Sequence, residues 1–163
     1  MSKIIFILMM LPTIVLLNLG IIEQDTQKIV YDAIKNSADL AARDAALQVD
    51  WAASSDGHYK IDESLARIVF MEQFIATAGL DEELSSPMVN GPVVVDLTIV
   101  NYDHYDPLPK VVALPNGFQG RIDNSSVIAV IQYKKDSLIP GYGFHEARIE
   151  VVVQGQFRKE EHF

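Results

Sequence analysis

The chain has no cysteine. Disulfide frameworks, thiolate metal sites and thiol nucleophiles are excluded with it. Basic residues are also scarce: 13 Lys and Arg stand against 22 Asp and Glu in 163 residues, for a net charge of −9. A nucleic-acid binder needs a basic face to neutralise phosphates, so that class is excluded as well. No G-x-x-x-x-G-K-S/T phosphate loop, G-x-G-x-x-G turn or G-x-S-x-G elbow occurs. The four histidines, His58, His104, His145 and His162, never fall at the H-E-x-x-H spacing of a zinc protease. The expectation is a protein that is not an enzyme, with no catalytic residue, cofactor, metal or small-molecule substrate. Disorder is excluded too, since 49% of the residues are apolar. The length suits one domain with a short appendage.

Charge is missing altogether from residues 4–22, IIFILMMLPTIVLLNLGII. Nineteen residues at 1.5 Å each reach roughly 28 Å, close to the ~30 Å hydrocarbon core of a bilayer. Ile4, Ile5, Phe6, Leu8, Leu11, Ile14, Leu16, Leu17, Ile21 and Ile22 form the expected membrane anchor. Lys3 precedes the run, while Glu23 and Asp25 follow it. That asymmetry places the N-terminus in the cytoplasm and everything later outside, as a single-pass protein of the cell membrane. A cleaved secretory signal is the competing reading. Its apolar region is normally shorter, and Asn18-Leu19-Gly20 makes a poor small-x-small cleavage site.

The helical pattern continues past the run. Residues 23–50 contain neither Pro nor Gly, and Val30, Ile34, Ala38, Ala41, Ala45 and Val49 recur at helical spacing. Ile29, Ala33, Leu40 and Leu47 widen the stripe. One helix over about residues 4–50 is expected, roughly 70 Å long. Its second half should cover the protein's own sheet. The part nearest the membrane, Ile22 and Ile29, has no evident intrachain partner. Ile22, Ile29, Val30, Ala33 and Ile34 are therefore the candidate assembly face. Trp51 is too far along the helix to be a membrane-interface aromatic, and with Tyr59 and Phe70 it is expected in the core.

A polar link over residues 51–59 leads to a second helix. Asp62 is its expected N-cap, Gly79 its C-terminal glycine, and Leu65, Ile68, Val69, Phe74 and Ile75 its apolar face. Three runs then alternate with period two: Val93 to Ile99, Val127 to Tyr133 and Ala147 to Val153. Pro140-Gly141 marks a turn joining the last two as an antiparallel pair. Residues 102–125 hold three Pro and two Gly and read as loop, with a short strand at residues 110–114. Two minor candidates lie in this loop. Asp103, His104 and Asp106 could ligate a cation but read as a solvated turn. Asn124-Ser125-Ser126 matches a glycosylation acceptor but also serves a turn. The fold class is α+β: a long transmembrane-plus-amphipathic helix (residues 1–50) on an extracytoplasmic head with a small antiparallel β-sheet (residues 51–163).

Two segments carry a family resemblance. One is ILMMLPTIVLLNLGIIEQDTQKIVYDAIKNSADLAARDAALQV; the other is VIAVIQYKKDSLIPGYGFHEARIEVVVQGQFR. Together the chain resembles type IV pilins and pseudopilins, and within them the TadE-like minor pilins of tight-adherence pilus systems. The resemblance implies a membrane-anchored structural subunit whose partners are the membrane and other pilin-like subunits. Its role would be assembly or capping of a surface pilus or secretion pseudopilus. A membrane-tethered binding or sensor domain, with its ligand at residues 102–125, is the alternative. The chain departs from processed prepilins. Lys3 leads directly into Ile4, and no Glu occurs before Glu23. The resemblance therefore implies an unprocessed membrane component of such machinery.

Overall fold

A computed structural model describes residues 2–56, 59–102, 109–139 and 143–155. Helix α1, Ser2–Ala46, runs unbroken for 45 residues with Pro12 inside it. It stops four residues short of the expected end because the chain turns back on itself. Val49 pairs with Ile61 in an antiparallel bridge, and Asp62 N–H donates to the Gln48 carbonyl at 2.8 Å.

Helix α2, Glu63–Ala78, starts and ends where its caps dictate. The Asp62 carboxylate accepts from the N–H groups of Ser64 and Leu65, both at 3.0 Å. Gly79 takes the left-handed conformation, φ 65°, that a side chain would strain. Its buried face differs from the expected one. Ala66, Phe70, Phe74 and Ala78 are buried, whereas Leu65 and Ile68 are exposed and Val69 and Ile75 are only half-buried. The i, i+4 row of α2 meets the alanine row of α1, and small residues on both sides let the helices approach while two phenylalanines fill the gap. The Phe70 and Phe74 rings stack at 5.8 Å between centroids.

The strands among the described residues are β1 (Val94–Val100), β2 (Lys110–Ala113), β3 (Gln119–Ile122), β4 (Ser126–Asp136) and β5 (Phe144–Gln154). β1, β4 and β5 make an antiparallel sheet in that order, with β4 central. β2 and β3 form a separate hairpin where only one short strand was expected. Two cores follow. Val127, Ala129, Ile131 and Tyr133 of β4 join Val30, Ile34, Ala38, Ala41, Ala42 and Ala45 of α1 and the α2 face in the larger. Ile128 and Val130, on the other face of β4, pack with Val112, Phe118 and Ile122 of the β2–β3 hairpin in the smaller. The central strand is thus buried on both faces, where period-two alternation had suggested one.

Tyr59 and Phe70 are core residues as expected, but Trp51 is 75% exposed. It lies beyond the end of α1, where the chain has already left the helix axis. A polar knot closes this end of the head. Asn101 accepts from Ile61 N–H at 2.8 Å and donates to its carbonyl at 2.9 Å. The fully buried Ser125 hydroxyl donates to the Tyr59 carbonyl, and the Tyr59 hydroxyl donates to the Ala46 carbonyl. Asn124 donates to the Gly155 carbonyl at 2.7 Å and accepts from Ser125 N–H, so its amide serves the turn.

Candidate functional site

Two features of α1 outside the core concern function. The first is the apolar N-terminal part. Phe6, Leu8, Leu11, Ile14, Leu16, Leu17, Ile21 and Ile22 are each more than half exposed; the side chains of Ile4 and Ile5 lie outside the described residues. Among the described residues, α1 is the one helix long and apolar enough to cross a membrane. A helix apolar on all sides and uncovered by its own chain is suited to lipid rather than water.

The second feature is a line of apolar residues continuing from that run onto the outer face of the head. Of the five candidate assembly residues, Val30 and Ile34 are buried in the head's own core and cannot face a partner. Ala33 is half-buried, and Ile22 and Ile29 are exposed. Leu40 and Leu47 are exposed as well, at 44% and 66%. With about 100° per residue, Ile22, Ile29, Ala33, Leu40 and Leu47 fall within roughly 40° of arc. Leu11 and Val15 extend the same line back into the apolar run. The buried row from Val30 to Ala45 lies about a third of a turn away on the same helix. α1 therefore carries two apolar faces, one used by the head and one left open. The sequence pattern alone merged them into a single broad stripe.

Where the two parts of α1 meet, the helix is clasped to the sheet. Glu23, the first charged residue after the apolar run, is buried at 7% exposure. Its carboxylate accepts from Leu138 N–H at 2.7 Å and from the Gln27 amide at 3.0 Å, and His145 Nε2 stands 3.2 Å away. The other end of the head is closed by the knot around Tyr59 and Ala46. β5 therefore runs alongside α1, its 11 residues spanning the same ~35 Å as residues 23–46 of the helix. No sequence signal pairs Glu23 with a residue 115 positions away; a lone acid directly after an uncharged run was the only hint.

Burial pushes the Glu23 carboxyl up, but hydrogen bonds from Leu138 N–H, Gln27 and Ser137 and the nearby imidazole of His145 outweigh it, so the group is held below its ordinary value of 4.5. A carboxyl held low in the folded state contributes stability above its unfolded pKa and loses that contribution as pH falls through its folded one. The thermal stability of the full chain in detergent should therefore fall as pH drops below 4.5, and less steeply for Glu23→Gln. Equal slopes for the two proteins would refute the clasp as a contributor.

Two open clefts flank the β4–β5 hairpin. One, about 600 Å³, is lined by Asn90, Gln132, Lys134, Glu146 and Arg148 among others. The other, about 430 Å³, lies between α1 and the hairpin, lined by Gln24, Lys28, Tyr31, Lys135 and His145 among others. Tyr133 borders both; burial, with Tyr31 and Asp32 close by, pushes its phenol up to about 12. Within residues 102–125, β2 and β3 lie down on the sheet as its second cover. Asp103, His104 and Asp106 fall outside the described residues. No family model matches the chain, and no curated protein or solved structure is detectably similar to it.

Proposed function

We propose that the chain is a non-enzymatic, membrane-anchored structural subunit of pilin-like, TadE-like kind, working in assembly or capping of a surface pilus or secretion pseudopilus. The observation that supports this reading is the open apolar line on α1. It runs without interruption of direction from the membrane run to Leu47, while the row about a third of a turn away is sealed by the head. Neighbouring subunits anchored in the same bilayer present their helices side by side. Packing along this line then removes Ile29, Leu40 and Leu47 from water. Each large apolar side chain so buried contributes about 1.5–3 kcal/mol, and the part within lipid contributes much less. The N-terminus lies in the cytoplasm and the head outside, following the charge asymmetry around the run.

The absence of native cysteine makes the test clean. Single substitutions Ile29→Cys and Leu40→Cys should cross-link between subunits in oxidised native membranes. Val111→Cys, at least as exposed but on β2, should not. Ile29→Glu with Leu40→Glu should abolish the association without changing thermal unfolding of the head. A chain that stays monomeric in all these experiments would sink the subunit reading. The second reading, a tethered ligand-binding domain, would then move to the 600 Å³ cleft beside Arg148 and Lys134.

A further inference from the structure

We infer that the end of the β4–β5 hairpin is a second membrane contact, with Leu138 and Phe144 seated in the interfacial layer of the bilayer that α1 crosses. The inference rests on the reading of α1 as a membrane helix and adds to it a docking surface on the head.

Height is the first argument. The uncharged run ends at Ile22, so Glu23 marks the boundary of the hydrocarbon. Polar headgroup zones extend about 5–8 Å beyond that boundary on each side. Leu138 N–H lies 2.7 Å from the Glu23 carboxylate, which places the backbone of this residue inside that zone. The rest of the hairpin end is tied to the same level. Ser137 N–H donates to the Gly143 carbonyl at 3.0 Å, and Asp136 pairs with Phe144.

Exposure is the second. Leu138 is 47% and Phe144 50% exposed, large apolar side chains left uncovered at the edge of the head that faces the bilayer. The surrounding chemistry fits an interface rather than deep hydrocarbon. Lys134 Nζ sits 4.7 Å from the centroid of the Phe144 ring, a long side chain of the kind that keeps its charged head at a polar boundary. That ammonium also pairs with Glu146 at 3.1 Å, so the patch carries little net charge and zwitterionic phospholipid suffices as partner. The clasp itself completes the argument. A carboxylate this close to hydrocarbon must have its hydrogen bonds supplied by protein, and the hairpin supplies them to Glu23.

The test uses the full chain reconstituted in phosphatidylcholine vesicles, with one environment-sensitive fluorophore on each of four single-cysteine variants: Leu138→Cys, Phe144→Cys, Val15→Cys and Trp51→Cys. Val15 reports on the anchor, and Trp51 reports on the far end of the head. Labels at 138 and 144 should be quenched by lipids brominated near the ester end. They should also be severalfold less accessible to aqueous iodide than the label at 51. If they respond like the label at 51 while the label at 15 remains lipid-quenched, the hairpin contact is wrong and the anchor stands. If the label at 15 is also open to iodide, both the contact and the membrane reading fall.

Discussion

Phe70→Ala is expected to cost the head about 3–5 kcal/mol, whereas Leu65→Ala and Ile68→Ala should each change it by about 0.5 kcal/mol or less. Phe70 has no exposed surface, stacks on Phe74 and fills the space between the α1 alanine row and α2. Its neighbours Ala38, Ala41, Ala42 and Ala45 are too short to close over a cavity. Leu65 and Ile68, by contrast, are 43% and 55% exposed on the other side of the same helix. Chemical denaturation of the full chain in detergent, followed by near-ultraviolet dichroism of the head, measures all three. For a domain of ordinary stability, about 5–15 kcal/mol, the first variant approaches global unfolding of the head. The apolar run of α1 has no part in that core, so under the proposed anchoring the variant should still fractionate with membranes. A large loss for Leu65→Ala would mean that α2 presents the face its sequence pattern suggests, and a small one for Phe70→Ala would mean that this ring does not fill the α1–α2 gap.

Gly155→Ala should destabilise the head by about 3 kcal/mol, at the upper end for overpacking by one methyl group. A Cβ at this position would land on the Tyr59 ring, against its Cε1 and Cδ1 atoms. The ring cannot swing aside. Its hydroxyl is held by the Ala46 carbonyl at the end of α1, and its own carbonyl is held by Ser125. Gly155 is held from its side as well, donating to the Ser125 carbonyl at 2.8 Å and accepting from Asn124. Either the Tyr59 hydrogen bond or the end of β5 must give. The double variant Gly155→Ala with Tyr59→Ala separates this clash from a general loss. With alanine at 59 every clashing ring atom is gone, so the two losses should fall short of additivity by more than about 0.5 kcal/mol in a double-mutant cycle. Strict additivity would show that the contact between Gly155 and Tyr59 does not limit the packing there.

Much of the architecture was legible beforehand because it is local. The uncharged run, the helical stripe continuing from it, the Asp62 and Gly79 caps and the period-two strands all act within a few residues. Structure follows such patterns wherever no distant contact competes. The failures share one cause. Leu65 and Ile68 are as apolar as Phe70 and Phe74, and only the position of α1 decides which side of α2 is covered. The β2–β3 hairpin hides among prolines and glycines because its strands have four residues each, and its apolar positions matter only once they meet Ile128 and Val130. Trp51 reads as core by size alone, until the turn after Ala46 carries it outward.

For the candidate surfaces the division is sharper. Composition and spacing by themselves determined that the chain contains an apolar rod, extends it as an amphipathic helix and carries a small antiparallel sheet. Hydrophobicity and hydrogen-bond periodicity are properties of neighbours along the chain. Only the folded arrangement decided that α1 has two apolar faces, with Val30 and Ile34 spent on the head while Ile29, Leu40 and Leu47 stay open. It also brought Leu138 and His145 to Glu23, at the end of the apolar run. Such choices depend on which surfaces a neighbouring element covers, and no residue carries that information until both elements are in place.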